Sequence, residues 1–149
     1  MATIARIDLS ADVRELAESR TIGSLATIRR DGRPQLSVVN FAWSAKQCVA
    51  RTSTRTSLAK IANLRRDPRV SLMLTSADGW SYAVLEGHAE ISPVAEAPDD
   101  PTVDQLVELY RAIAGKEHPD WDDYRRAMVR DGRLVLSVVV ERAYGLKQH

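Results

Sequence analysis

The stretch TIGSLATIRRDGRPQLSVVNFAW, residues 21–43, decides the fold class of this chain of 149 residues. Two strand-like segments, residues 21–28 and 35–43, lie on either side of the dipeptide Asp31-Gly32. Because Asp-Gly accepts the positive φ angles of a tight turn, the dipeptide predicts a hairpin between two antiparallel strands. Parallel neighbours would need a longer crossover, usually a helix, between them. The stretch therefore favours an antiparallel sheet.

The rest of the chain continues the pattern of paired strands with helices added between them. A second hairpin is predicted at Asp78-Gly79, and apolar spacing predicts helices over residues 10–19, 57–67, 103–114 and 121–130. Further strands are predicted over residues 48–52, 70–75, 80–91 and 134–140. We expect a mainly β (α+β) fold, an antiparallel barrel with peripheral helices, in a single domain of residues 1–149.

Composition excludes several classes of function. A net charge of +1 argues against a surface tuned for nucleic acid or for an anionic membrane. One cysteine and three scattered histidines offer neither a disulfide nor a metal site. The apolar stretches are too short for a membrane span, and residues 1–6 lack the core of a signal peptide. We therefore expect a cytoplasmic protein without metal, nucleic acid or membrane partner.

The small net charge hides two halves of opposite sign. Residues 1–76 carry 13 Lys+Arg against 6 Asp+Glu, and residues 77–149 carry 8 against 14. The basic half is concentrated in RTSTRTS, residues 51–57, with Lys60 in the first turn of the helix that follows. Hydroxyls, guanidiniums and the open N–H groups of a helix start can together bind a phosphate. The alternative is that Thr56 or Ser57 only caps the helix and that Lys60 is solvated.

Other polar and aromatic residues are weaker candidates. Trp80 and Tyr82 alternate on one predicted strand, so they either flank a planar ring or belong to the core. Gln35 and Ser37 also share a strand face, where they either contact a heterocycle or face solvent. Cys48, within a predicted strand, is interpreted as a small buried apolar residue. Since no catalytic triad or carboxylate pair is evident, a bound cofactor is expected to supply the chemistry.

Several segments together carry a family resemblance. The block KIANLRRDPRVSL, residues 60–72, with residues 22–27 and 31–35, resembles the pyridoxamine 5'-phosphate oxidase-like split β-barrel superfamily. Residues 79–87, 109–115 and 120–128 look like the actinobacterial flavin/deazaflavin oxidoreductases that use coenzyme F420. The resemblance covers roughly residues 10–146 and implies an antiparallel split β-barrel. It also implies a homodimer with two cofactor sites at the subunit interface.

The resemblance also assigns roles to individual residues. Lys60 would contact the cofactor phosphate with support from Asn63, and relatives place an arginine where this chain has Leu58, so Arg55 is expected to replace it. The other residues expected at the cofactor are Thr52, Ser53, Thr54, Ser57, Gln35, Ser37, Trp80 and Tyr82.

The activity implied is that of a reductase dependent on coenzyme F420. It would transfer a hydride between the reduced deazaflavin and an electron-poor small-molecule acceptor, with no catalytic side chain assigned. One alternative is an oxidase or reductase of the same fold that depends on flavin mononucleotide (FMN). Another is a non-catalytic protein that binds or carries F420. Residues 141–146 lack the Arg/His pattern expected of pyridoxamine phosphate oxidase itself.

Overall fold

A computed structural model describes residues 9–146, so the prediction made for the N-terminal six residues lies outside the described part of the chain. Within that part, the elements in chain order are α1 (Ala11–Ser19), β1 (Ile22–Ile28), β2 (Pro34–Asn40), β3 (Ala42–Ser44), β4 (Val49–Arg55), α2 (Ala59–Arg66), β5 (Arg69–Thr75), β6 (Tyr82–Ile91), α3 (Pro101–Ala114), α4 (Trp121–Arg130) and β7 (Arg133–Leu146).

The strands form one antiparallel sheet that curls into a half-barrel. Its order is β2-β1-β5-β6-β7-β4-β3, and every neighbouring pair is antiparallel. β2 lies at one edge of this order, and the curl brings it near β4 at the other side. The predicted antiparallel split barrel is therefore confirmed, and the split lies between β2 and β4.

Local chemistry explains where several elements begin and end. Gly32 and Gly79 adopt φ angles of 87° and 81° at the two predicted hairpin turns, which confirms both turns. Ser10 caps α1 by accepting a hydrogen bond from the Val13 amide, and Asp100 caps α3 by accepting from the Val103 amide at 2.8 Å. Gly115 closes α3 with a left-handed φ of 68°, a conformation that glycine adopts without strain.

The core lies on the concave side of the curled sheet. Phe41, Leu25, Leu72, Leu85 and Leu136 are almost completely buried there, and α1 and α2 cover the open ends with their apolar faces. A second, smaller cluster joins α3 and α4 to β7. None of the four helices within residues 9–146 combines the length and the hydropathy of a membrane-crossing helix.

A bulge in β7, where Glu141 is the extra residue between the partners of Glu86 and Gly87, bends the sheet. The register between β6 and β7 shifts at Glu86/Gly87. A Cβ atom at Gly87 would overlap the backbone carbonyl oxygen of Val139, so glycine is needed where the two strands approach so closely.

Two predicted strand boundaries are wrong near the basic segment. Cys48 lies in the turn before β4 with a φ of 56°, not within the strand. β4 continues to Arg55, so most of residues 51–57 is strand rather than turn. Pairing with β7 along its whole length explains this extension, because each residue from Val49 to Arg55 has a partner there.

Three further boundaries differ in other parts of the sheet. The predicted strand over residues 35–43 is interrupted at Phe41 and becomes β2 and β3. β6 begins at Tyr82, so the prediction that Trp80 shares a strand face with Tyr82 is wrong. Trp80 lies in the preceding turn with 72% of its surface exposed, so it is not a core residue either. β7 continues to Leu146, because its second half pairs with β6.

Candidate functional site

A cavity at the split of the barrel brings together several residues of the basic segment. We call it the seam cavity; its volume is about 390 Å³, within the range of small-molecule sites. It lies where β2 approaches β4 and where α2 begins. Its lining consists of Ile22, Val38, Val39, Asn40, Thr52, Ser53, Thr54, Leu58, Lys60 and Arg133.

Lys60 enters the cavity from the first turn of α2. Leu58 occupies the N-cap position and has no side-chain acceptor, so no side chain caps the first amides of the helix. The alternative that Thr56 or Ser57 caps this helix is therefore wrong. Lys60 is half-buried, and burial, with a smaller contribution from the charge of Arg133, lowers the pKa of its ammonium group. An anion beside it would reverse that shift.

Two buried polar atoms of the cavity residues have no hydrogen-bond partner. They are Thr54 Oγ1 and Arg133 Nε; within residues 9–146 the third such atom, Trp43 Nε1, belongs to another cavity. A buried donor without an acceptor costs free energy unless a ligand or water satisfies it. Two unsatisfied donors in one cavity therefore indicate a polar ligand.

Charge distinguishes the seam cavity from two larger ones. Its lining contains two cations and no carboxylate. The cavity of about 750 Å³ under α3 contains Arg51 together with Glu90, Asp104 and Glu108. The cavity of about 610 Å³ beside β5 contains the ion pair of Arg142 and Glu86. Of these three, the seam cavity is therefore best suited to an anionic ligand.

Asn63 lies one helical turn after Lys60 but serves a structural network. It is 7% exposed, and its Nδ2 donates to Gln35 Oε1 at 2.8 Å and to Thr27 Oγ1 at 3.1 Å. Its Oδ1 accepts a hydrogen bond from Arg66. Asn63 therefore fixes α2 against β1 and β2, which positions the start of the helix and with it Lys60.

The structure gathers only part of the predicted set at the seam cavity. Thr52, Ser53, Thr54 and Lys60 line it, and Thr52 and Thr54 point inward with 3% of their surface exposed. The other predicted residues lie outside its lining; they are Gln35, Ser37, Arg55, Ser57, Asn63, Trp80 and Tyr82. Arg55, at the end of β4, is exposed, as is Ser57.

Sequence reasoning missed Arg133. It is the first residue of β7, more than 70 positions after Lys60, and belongs to none of the recognised motifs. Only the pairing of β4 with β7, which sets Arg133 opposite Arg55, brings it to the cavity. Gly132 indicates a turn, and therefore that a new strand begins after it. It does not indicate that this strand begins close to Lys60.

A profile of the pyridoxamine 5'-phosphate oxidase family matches residues 9–147, nearly the whole chain. The chain belongs to this family. Among its relatives is a biliverdin reductase of Mycobacterium tuberculosis that depends on reduced coenzyme F420. The two chains are 28% identical over 137 residues, which are 92% of this chain and 88% of the relative.

Solved structures agree with this family assignment. A conserved hypothetical protein of Mycobacterium tuberculosis superimposes with a TM-score of 0.72 at 26% identity, covering 99% of this chain and 90% of that one. A protein described as an F420 reductase superimposes with a TM-score of 0.68 at 26% identity, covering 91% and 98%. The family fold and the half-barrel described above are therefore the same.

The residues of the seam cavity fit a phosphorylated cofactor of this family. Lys60 and Arg133 provide positive charge, Thr54 and Ser53 provide hydroxyls, and the start of α2 provides amides without a side-chain cap. The orphaned Arg133 Nε is the observation that favours an anion over an uncharged ligand. Ile22 and Val38 add an apolar border on the β1–β2 side.

Proposed function

We propose that the protein is an oxidoreductase that depends on coenzyme F420 and reduces an electron-poor small organic molecule. The single observation that carries this is the carboxylate-free seam cavity with Lys60 and the unsatisfied Arg133 Nε, in a chain similar to an F420-dependent reductase. F420 combines a hydride-carrying ring with anionic groups, and the cavity is built for an anion. The proposal specifies only the chemical class of the hydride acceptor, an electron-poor small organic molecule.

In this proposal, the chain binds and orients, and the cofactor reacts. Bound F420 supplies a hydride from its deazaflavin ring. Lys60 and the start of α2 would hold the anionic end of the cofactor, and Thr52, Ser53 and Thr54 would contact its ribityl chain. Gln35, Ser37, Trp80 and Tyr82 are proposed at the ring side. By fixing the position of the ring, the protein lowers the entropic cost of aligning it with an acceptor.

A homodimer belongs to the same proposal. The convex face of the sheet exposes large apolar side chains on β1, β2, β5 and β7, namely Ile22, Leu36, Val38, Met73, Tyr144 and Leu146. Ile22 and Val38 belong both to this face and to the lining of the seam cavity. A partner subunit on the face would therefore border the cavity and exclude water from it.

A second candidate is an oxidase or reductase dependent on FMN. The family match to pyridoxamine 5'-phosphate oxidase favours it, since the resemblance includes flavin enzymes. FMN also ends in a phosphate, so the seam cavity suits both cofactors. The cofactor, and not the fold, distinguishes the two candidates.

The experiment is a titration of the purified full chain with F420 and, separately, with FMN, followed by fluorescence. Tighter binding of F420, followed by oxidation of reduced F420 when a quinone, an enone or a tetrapyrrole is added, is the expected result. Preference for FMN would replace the proposal by the second candidate. Tight F420 binding with no turnover of any acceptor class would indicate a carrier protein. If F420 does not bind at all, both the F420-dependent reductase and the F420 carrier are rejected.

A further inference from the structure

Arg133 has an unusual environment for an arginine. Its Nε is buried and has no acceptor, although arginine is the side chain with the most hydrogen-bond donors. Within residues 9–146 it forms no ion pair of 4.0 Å or less with a carboxylate. The nearby phenol of Tyr124 donates its proton to Leu106 O at 2.9 Å and supplies no countercharge. The guanidinium is therefore held at the cavity without a protein anion.

A second cation shares the same cavity. Lys60 and Arg133 both line it, and the lining contains no Asp or Glu. Burial lowers the pKa of Lys60, and the charge of Arg133 lowers it further, as expected for two cations that line one cavity. Such a pair is unfavourable in the empty cavity, and an anion between them would convert repulsion into two attractions.

Uncharged donors accompany the two cations in the lining of the seam cavity. Thr54 Oγ1, unsatisfied and buried, lines the cavity with Ser53. The start of α2 adds amides and the positive end of its dipole, since Leu58 at the N-cap offers no acceptor. A phosphate group accepts several hydrogen bonds at once, which matches two cations, two hydroxyls and a helix start.

We propose that Arg133 is a phosphate-binding residue of the seam cavity and acts with Lys60 on one phosphate group. This rests on the proposed function only in naming a cofactor as the molecule that carries the phosphate. It also revises the expectation for Arg55, which is exposed and outside the cavity lining. Arg133, which lies on β7 directly opposite Arg55 of β4, takes its place as the second cation of the site.

The test compares Arg133→Gln, Arg133→Lys and the control Arg126→Gln by fluorescence titration. Arg126 is exposed on α4, so its variant loses the same charge away from the cavity. The ligands are F420 and its phosphate-free deazaflavin, whose ribityl chain ends in a hydroxyl. Thermal melts verify that each variant is folded.

Arg133→Gln should weaken F420 binding by roughly tenfold or more, because a charge-assisted hydrogen bond is lost, and should leave the phosphate-free deazaflavin within about twofold. Arg133→Lys should fall between this variant and the wild type, since lysine keeps the charge but not the planar fork of donors. Unchanged F420 affinity in Arg133→Gln, or an equal loss for both ligands, would overturn the assignment.

A further readout separates this assignment from the proposed function. If the wild-type protein binds neither F420 nor FMN, the proposed function fails, and inorganic phosphate then serves as the probe. NMR of the Arg133 Nε–H group should show a saturable shift as phosphate is added, and the shift should be lost in Lys60→Gln. No saturable shift of that resonance would reject the role of Arg133 even if F420 binds.

Discussion

At the scale of single residues, Asn63 connects the fold to the site. Its buried amide joins α2 to β1 and β2 through Thr27 and Gln35. Such a buried network is stable only when every member has a partner, so loss of one amide leaves two acceptors unsatisfied. The sequence resemblance assigned Asn63 to the support of the cofactor site, which stays a prediction, and the structure shows Asn63 anchoring the helix that carries Lys60.

Asn63→Ala should lower the free energy of unfolding by about 1–3 kcal/mol, the cost of leaving buried polar groups unpaired. Urea unfolding of the purified variant measures this. The control is Ala62→Ser, an exposed neighbour on the same helix, which should stay within about 0.5 kcal/mol of the wild type. A value for Asn63→Ala equal to the control would show that the network contributes nothing to stability.

Lys60 and Arg133 show how far sequence reasoning reaches at this scale. Lys60 could be predicted because its hydroxyl-rich surroundings and the helix start lie within ten positions of it. Arg133 could not, since its place depends on the register of β4 against β7, a contact between distant parts of the chain. Local motifs identify one cation of the seam cavity, whereas only long-range pairing brings the other to it.

At the scale of elements, α3 and α4 form an aromatic unit beside the sheet. The rings of Tyr110, His118, Trp121 and Tyr124 contact one another at centroid distances of 5.1–5.6 Å, mostly near edge-to-face. Tyr124 also donates to Leu106 O across the pair at 2.9 Å. Burial raises the pKa of Tyr124 to about 12.

This shift predicts a loss of stability in alkaline solution. Because folding raises the pKa of Tyr124 above its unfolded value of about 10, its contribution is complete below pH 10 and is lost as the pH rises towards 12. Tyr124→Phe should cost about 1 kcal/mol at neutral pH, from the lost hydrogen bond, and should flatten the alkaline decline. Urea unfolding of the wild type and of Tyr124→Phe, at neutral pH and again near pH 12, measures the cost at neutral pH and the alkaline decline.

The wild type, unfolded under the same conditions, is the reference for that measurement. An equally steep decline in Tyr124→Phe would assign the alkaline instability to another group.

The two hairpin turns could be predicted from the sequence because short-range chemistry fixes them. Gly32 and Gly79 adopt the positive φ angles that their contexts indicated. The length of β7 could not, because residues 141–146 become strand only by pairing with β6. Their sequence is too polar to predict a strand, and the strand forms because β6 supplies the hydrogen-bonding partners.

At the scale of the whole molecule, the convex face of the sheet carries a row of side chains that crosses five strands. Val38, Ser24, Met73, Val84 and Tyr144 follow one another across five strands in cross-strand register. Exposed apolar side chains flank this row, including Leu36 with 69% exposure. A contiguous apolar face of this kind is typical of an interface.

Leu36→Asp should convert the proposed homodimer into a monomer, since a charge buried in an apolar interface has no partner. Sedimentation equilibrium at micromolar concentration measures the mass. Ala45→Asp, in the exposed turn before β4, adds the same charge elsewhere and should remain dimeric. A wild-type protein that sediments as a monomer would contradict the proposed dimer directly.

The most direct test of the central claim is the dissociation constant of F420 for the wild type and for Lys60→Ala at low and high salt. An F420 site in the seam cavity predicts binding by the wild type and a loss of roughly tenfold or more in Lys60→Ala. The difference should shrink at high salt, because ions screen the attraction of Lys60 for the anionic cofactor. Lys46→Ala, a solvent-exposed control, should bind as the wild type does. Equal F420 affinity of Lys60→Ala and the wild type would contradict the account.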